Sequence, residues 1–190
     1  MLRRILALSL AVVALLAGGC ADDVSPAIRV GDATVSNDEL LDEIDQWVGN
    51  PVAVDPAQLT GLTPGGYPGD LVRQLIRQRI DFMVHEAEFD RLGLEVTEDL
   101  RNDALVALFG DPATAEEAFA TFTDGFADDF TDDVARQIAV QEELGDDGYT
   151  AWYADAYGTA DIEVNPRYGT WDAGTQTVVA PPGGTPAAAG

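Results

Sequence analysis

The residue best suited to acid–base chemistry near neutral pH is His85, the only histidine of the chain. A hydrolase would need a serine nucleophile beside it, and the sequence contains no G-x-S-x-G turn to present one. A metal site built on two histidines is excluded because there is no second histidine. His85 lies between Phe82 and Phe89 in an apolar stretch, where a lone histidine is more often packed than catalytic. We therefore expect no catalytic residue and no enzyme activity.

A group of aspartates between residues 124 and 133 invites comparison with a calcium site. It lacks the D-x-[DN]-x-[DN]-G spacing and the later bidentate glutamate of a calcium loop, and so does the stretch 146–148. The chain has 34 acidic residues, so such groups arise by chance, and helix N-termini attract acids. We predict solvated acidic faces, no metal ion and no cofactor. The group consists of Asp124, Asp128, Asp129, Asp132 and Asp133.

The charge balance narrows the class of partner. Ten basic residues, all arginine, stand against 34 acidic ones, for a net charge of −24. Phosphate binding needs clustered lysine and arginine, so nucleic acid is not expected as a partner, and a lysine-dependent P-loop is absent. We interpret the acidity mainly as a means of solubility, with attraction of basic clients as the alternative.

The first twenty residues predict export. Arg3 and Arg4 precede an apolar run at 5–16, and small residues at 17–19 lead to Cys20, the only cysteine. This order resembles a bacterial lipobox, with Ala17 where leucine is usual. We predict a signal peptide, lipid attachment to Cys20 and a location at the outer face of the cytoplasmic membrane, in the cell envelope. The alternative is an ordinary cleaved signal followed by an incidental cysteine.

Apolar spacing predicts mainly helices after a short hairpin around residues 28–35. Ser36 and Glu39 form a capping box before a first helix, and a Gly- and Pro-rich loop follows at 49–69. Residues 70–92 are apolar over a wide arc, so we predict a long, central, mostly buried helix there. Thr97 is expected to cap a third helix.

The rest of the chain predicts shorter elements. Thr114 and Glu117 suggest a capping box for a helix through Phe122, and Thr131 suggests the start of another helix. That helix is expected to end at Gly145, with a further helix at 149–157. One or two closing strands are then predicted from Ile162, Val164, Tyr168, Trp171, Val178 and Val179.

Three motifs in this order resemble a known family. They are the stretch 30–40 (VGDATVSNDEL), the stretch 92–100 (LGLEVTEDL) and the closing stretch 162–172 (IEVNPRYGTWD). Together they resemble the N-terminal chaperone domain of the SurA and PrsA foldases, which is also related to part of trigger factor. Gly31-Asp32 stands where that family usually has Asn-Gly, and both pairs suit a tight turn.

The resemblance implies a mainly α, multi-helix domain around a long central helix, with a small β patch formed by the N-terminal and C-terminal segments. It covers residues 27–172, the helical domain. The export signal and the composition of the last residues add a signal peptide (1–19), a lipidated tether (20–26) and a disordered Pro/Gly/Ala tail (173–190). Many members carry a parvulin prolyl isomerase domain of about 90 residues, for which there is no room here.

The implied function is a membrane-anchored chaperone that binds unfolded or partly folded exported proteins without catalysis. We expect client contact at Tyr67, Trp171 and Phe126, with Tyr67 and Trp171 exposed. Homodimerisation by swapping of the N-terminal segment is compatible with such an architecture. The alternatives are a scaffold lipoprotein that recognises one envelope protein, and a peptidyl-prolyl isomerase.

Overall fold

The computed structural model describes residues 25–50 and 66–181, and it is mainly helical, as predicted. In chain order the elements are β1 (Ile28–Val30), β2 (Ala33–Val35), α1 (Asn37–Val48), α2 (Gly69–Leu92), α3 (Glu98–Phe109), α4 (Pro112–Phe119), α5 (Asp124–Thr159), β3 (Ile162–Val164), β4 (Thr170–Asp172) and β5 (Thr177–Val179).

The two ends of the helical domain meet in a small antiparallel sheet. β1 pairs with β2 on one edge and with β3 on the other, in the order β2-β1-β3. Ile28 is fully buried beneath this sheet, and Arg29 pairs with Asp161 at 2.8 Å and Glu163 at 2.7 Å. The predicted β patch from both chain ends is confirmed, and it forms within one chain. Exchange of the N-terminal segment between two copies stays a prediction.

The first helix begins as the sequence predicts. Ser36 Oγ accepts a hydrogen bond from the Glu39 backbone N–H at 3.2 Å, and the Ser36 N–H donates to the Glu39 carboxylate at 2.7 Å. These two bonds satisfy N–H groups that have no partner within the helix. Leu40 and Ile44 on the inner face of α1 are completely buried. The predicted loop at 49–69 lies mostly outside the described residues.

The long helices α2 and α5 pack against each other and carry the core. The predicted helix at 70–92 is confirmed as α2, although α5 is longer. One apolar cluster joins Ile76 and Ile80 of α2 to Tyr157 of α5, and a second joins Phe82 of α2 to Phe130 of α5. The buried arc along α2 explains why its sequence is apolar on several faces.

The prediction that a helix starts at Thr131 is wrong. α5 begins at Asp124 after Thr123, whose extended backbone occupies the N-cap position. Thr131 lies inside the helix, where its hydroxyl donates to the carbonyl of Ala127 at 2.8 Å. Threonine can satisfy its hydroxyl within a helix in this way, so its presence alone does not mark a helix start.

The predicted interruption at Gly145 is confirmed. Its φ of 64° and ψ of 167° break the helical geometry inside α5, which continues on the other side to Thr159. Glycine adopts this positive φ without the steric penalty of a Cβ atom. The break redirects the segment that carries Tyr149, Trp152 and Tyr153.

The capping box predicted for Thr114 and Glu117 is also wrong. α4 begins two residues earlier, at Pro112, and ends at Phe119 rather than at Phe122. Asp111 accepts a hydrogen bond from the Thr114 backbone N–H at 3.0 Å, and this bond caps the helix. Asp before Pro is itself a strong helix start, because proline tolerates the first helical position.

The prediction of a disordered tail from residue 173 onward is wrong for residues 177–179, which form a strand. β5 (Thr177–Val179) pairs with β4, and the Val178 side chain is buried in the main core. The apolar pair Val178-Val179 closes a second hairpin, so the described fold extends past 172. Residues 182–190 lie outside the described part of the chain.

Candidate functional site

A cleft of about 870 Å³ opens between β2, α1, α2 and the first half of α5. Its volume falls in the range of about 300–1,000 Å³ that is typical of ligand-binding sites. The cleft lies beside α2, the helix that the sequence predicted to be central.

Aromatic rings form the apolar part of this cleft. Phe82, Phe126 and Phe130 line it, and Phe126 and Phe130 lie with their ring centroids 6.4 Å apart and nearly parallel. Trp47 of α1 contacts Phe130 edge to face at 5.0 Å. Such contacts fix the rings beyond what apolar burial alone provides. Phe82 and Phe130 are buried, whereas Phe126 is half-buried, so Phe126 is the ring that the cleft leaves most accessible.

The walls of the cleft carry an excess of negative charge. Seven carboxylate side chains and two arginines contribute to the lining. An excess of one sign inside a cleft strengthens the local potential and attracts oppositely charged partners. The acids are Glu39, Asp42, Glu43, Asp45, Glu86, Asp129 and Asp133, and the arginines are Arg79 and Arg136.

Asp133 joins α2 to α5 at the base of this charged wall. Its carboxylate lies 2.9 Å from Arg79 Nη1 of α2 and 2.7 Å from Arg136 Nη1 of its own helix. Asp133 is only 8% exposed, and burial raises its pKa although both arginines pull it back. A buried carboxylate of this kind depends on its two partners, because losing one would leave a costly unpaired charge.

Glu43 of α1 is half-buried and lines the same cleft. Loss of hydration raises the pKa of Glu43 to about 7. The positive charge of Arg79 offsets part of this rise, and the negative charge of Asp133 adds to it. Glu43 therefore changes charge near neutral pH, and the cleft is less negative below that pH than above it.

His85 lies on the side of α2 that meets the second half of α5. It is 1% exposed, and Nδ1 lies 2.7 Å from the carbonyl of Asp81. A carbonyl only accepts, so Nδ1 carries the hydrogen and Nε2 accepts from the Tyr149 hydroxyl at 2.9 Å. Burial lowers the pKa of His85, which favours this neutral form. His85 is thus a packed residue with both ring nitrogens hydrogen-bonded, as predicted.

The three residues predicted to touch clients lie in different places. Phe126 lines the cleft, whereas Tyr67 and Trp171 are half-buried against the main core. The Tyr67 hydroxyl donates to the Asp45 carboxylate, and the Trp171 ring lies 6.1 Å from that of Tyr157. The expectation that Tyr67 and Trp171 are exposed is therefore not met, and client contact at all three positions stays a prediction.

Glu43 was not singled out from the sequence, and the prediction of a solvated acidic face is wrong for Asp133, which is buried and paired with Arg79 and Arg136. Glu43 lies three residues after Leu40 and four before Trp47, and Asp133 precedes Val134 on the buried side of α5. A charged residue inside an apolar helical stripe was the signal that could have found them.

Cys20 and the predicted signal peptide lie outside the described residues. Within residues 25–50 and 66–181, no group of three or more Asp, Glu or His side chains is placed to hold a metal ion. None of the helices in these two ranges has the length and apolar character needed to cross a membrane.

In comparisons with known proteins, no family model matches the chain, and no curated protein or solved structure is significantly similar to it. The resemblance to the SurA and PrsA chaperone domain therefore stays a prediction.

Proposed function

We propose that this protein is a membrane-anchored, extracytoplasmic, chaperone-like lipoprotein that binds unfolded or partly folded exported proteins without catalysis. The observation that carries the proposal is the cleft lined by the rings of Phe82, Phe126 and Phe130. An unfolded chain exposes apolar side chains that a folded one buries, and Phe126 offers such side chains a partly open apolar surface.

The acidic walls define which client segments would bind best. Seven carboxylates against two arginines favour a segment in which basic residues flank an apolar one. The apolar side chain would pack on Phe126 and Phe130, and the basic residues would face the walls. Contact through charge and apolar area needs no strict sequence, which suits a protein with many clients.

Anchoring follows from Cys20, which would carry the lipid at the outer face of the cytoplasmic membrane. Two acyl chains on one residue suffice for stable membrane attachment. The large excess of acidic residues would repel anionic headgroups and keep the domain away from the bilayer surface.

An aggregation assay tests the proposal. We expect near-stoichiometric amounts of the protein to reduce light scattering by an unfolded model protein. Phe126→Ala should weaken this effect because it removes the accessible ring, whereas Val106→Ala should not, since Val106 is 48% exposed on α3 and does not line the cleft. An unchanged scattering signal at equimolar protein would reject the proposal. Release of a Cys20→Ser variant from the membrane fraction tests the anchor separately.

The excess of carboxylates over arginines in the cleft also suits a single basic partner, so a scaffold lipoprotein is the second candidate. Affinity capture from an envelope extract separates the two. Many partners at low occupancy support the chaperone, and one dominant partner supports the scaffold.

Prolyl isomerase activity is a third candidate, and the burial of His85 weighs against its use of that residue. A peptide-based isomerase assay with a His85→Ala control tests it. A rate that falls on this substitution would replace the non-catalytic proposal.

A further inference from the structure

A second groove, of about 510 Å³, lies where α2 meets the part of α5 that follows Gly145. Its lining includes Asp81, Gln137, Tyr149, Tyr153 and Gln176. None of its lining residues belongs to the acidic cleft, so the two sites are separate.

Asp81 is the half-buried carboxylate of this groove, and the hydrogen bonds it accepts in the described structure come from neutral donors. Oδ1 accepts from the hydroxyls of Tyr153, at 3.2 Å, and Tyr157. Oδ2 accepts only a long bond of 3.3 Å from Gln137 Nε2. A carboxylate offers about four acceptor positions, so Oδ2 keeps room for another donor.

No arginine among the described residues forms an ion pair with Asp81. Arg77, one turn earlier on α2, instead donates from Nε to the carbonyl of Gln176 at 3.0 Å. Outside the described residues, 51–65 and 182–190 contain no lysine, arginine or histidine, and 1–24 contain only Arg3 and Arg4, which belong to the predicted signal peptide. A half-buried carboxylate without an ionic partner keeps an uncompensated negative charge, which a cation from outside the chain would offset.

Two tyrosine rings flank this carboxylate. Tyr149 and Tyr153 both line the groove, with ring centroids 5.8 Å apart and planes inclined by 42°. Their hydroxyls are engaged, since Tyr149 donates to His85 Nε2 and Tyr153 to Asp81. The positions of both rings are thus fixed. Aromatic faces attract ammonium ions and also cover the alkyl carbons next to them.

We propose that this groove binds an organic ammonium group, with the nitrogen on Asp81 and the attached alkyl chain against Tyr149 and Tyr153. The ligand is a primary amine, either the side chain of a lysine in another protein or a free alkylamine. This proposal does not depend on chaperone activity and concerns a different site.

Ligand-observed NMR with n-butylammonium tests it on the full chain in a non-ionic detergent, at a salt concentration of about 0.15 M that screens non-specific attraction. We expect saturable binding, and none with n-butanol, which lacks the charge. Asp81→Asn should weaken binding by about tenfold because a charged hydrogen bond is lost. Tyr153→Leu should weaken it by about threefold.

Two further variants complete the test, one as a control and one with an expected gain in binding. Asp155 is an exposed carboxylate on α5 that does not line the groove. Asp155→Asn should therefore leave binding unchanged. Arg77→Gln removes a positive charge one turn before Asp81 on α2 and should strengthen binding. This gain keeps the proposal testable if circular dichroism shows that Asp81→Asn is unfolded.

The outcomes that would overturn the proposal differ from those that distinguish the two ligand sources. Equal signals for n-butylammonium and n-butanol would overturn the proposal, and so would binding that a folded Asp81→Asn variant retains or that Arg77→Gln weakens. A capped Gly-Gly-Lys-Gly-Gly peptide distinguishes the two sources. Tighter binding than n-butylammonium indicates a protein lysine, and weaker binding indicates a free amine. Butylammonium binding without suppression of aggregation would leave this site standing and remove only the chaperone proposal.

Discussion

Replacing Glu43 by glutamine should stabilise the protein, and the gain should depend on pH. Burial beside Asp133 raises the pKa of Glu43 from its ordinary 4.5 to about 7. Between these two values the native state binds more protons than the unfolded state, so the free energy of unfolding falls as pH rises. Below pH 4.5 the group costs nothing, and above pH 7 its full cost is present.

The size of the effect follows from the same two values. A rise from 4.5 to about 7 corresponds to at most about 3.4 kcal/mol, at 1.36 kcal/mol per pH unit. Glu43 lines an open cleft and is only half-buried, so water screens its charge and reduces this cost. We expect the advantage of Glu43→Gln over the wild type to grow by about 1–2 kcal/mol between pH 5 and pH 8.

Urea unfolding followed by tryptophan fluorescence at pH 5 and pH 8 measures this difference. Trp47 lies one turn after Glu43 and reports on the same region. Glu142→Gln is a matched control, because Glu142 is exposed on α5. Its free energy of unfolding should stay within about 0.5 kcal/mol of the wild type at both pH values.

An advantage of Glu43→Gln that does not change with pH would refute this reasoning. So would a variant that is less stable than the wild type at pH 8. The first result would mean that the pKa of Glu43 is the same in the native and unfolded states. The second would mean that attraction to Arg79 outweighs the cost of burying the Glu43 carboxylate.

Three further substitutions test the fold by chemical denaturation. Ser36→Ala should cost about 1 kcal/mol, because it removes the acceptor of the Glu39 N–H at the start of α1. Gly169→Ala should cost more than about 1 kcal/mol, since a Cβ atom there would lie 2.5 Å from the Val179 carbonyl oxygen and the φ of 148° disfavours other residues. Phe130→Ala should cost about 3–5 kcal/mol, because the buried ring leaves a cavity between α2 and α5.

Each of these has its own control. Ser36→Thr should retain most of the cap, and Phe130→Leu should lose less than Phe130→Ala. Gly158→Ala should be neutral or stabilising, because nothing lies within 4 Å of a Cβ atom at that helical position. A Gly169→Ala variant as stable as Gly158→Ala would contradict the described packing of β4 against β5.

Local signals in the sequence predicted much of the fold. Ser36 and Glu39 mark the start of α1, and α2 ends at residue 92 as predicted, with Gly93 as its C-cap, because caps act within a few residues of the helix that they terminate. Where two nearby residues could each begin a helix, the sequence analysis selected the wrong one. Thr131 and Thr114 both looked like helix starts, yet Asp111 caps α4 and α5 begins before Thr131.

The binding sites were much less predictable. Phe126 was identified as a candidate, but Tyr67 and Trp171 pack on the core, because apolar spacing does not reveal which neighbour covers a ring. Asp81 gave only the faint signal of an acid between Ile80 and Phe82. Its tyrosine partners lie more than 70 residues away, as the separations of 72 and 76 residues show.

The sequence by itself determined the helical character, most helix ends and the hairpin turn, because these depend on side chains within one or two turns of each other. It also carries the export prediction, which rests on the first twenty residues alone. Only the tertiary structure decided that Glu43 shares a cleft with Arg79 and Asp133, and that Asp81 lies against tyrosines of α5. The pKa of a carboxylate and its ability to hold a cation depend on distances to charges and on loss of water, and chain order fixes neither of these.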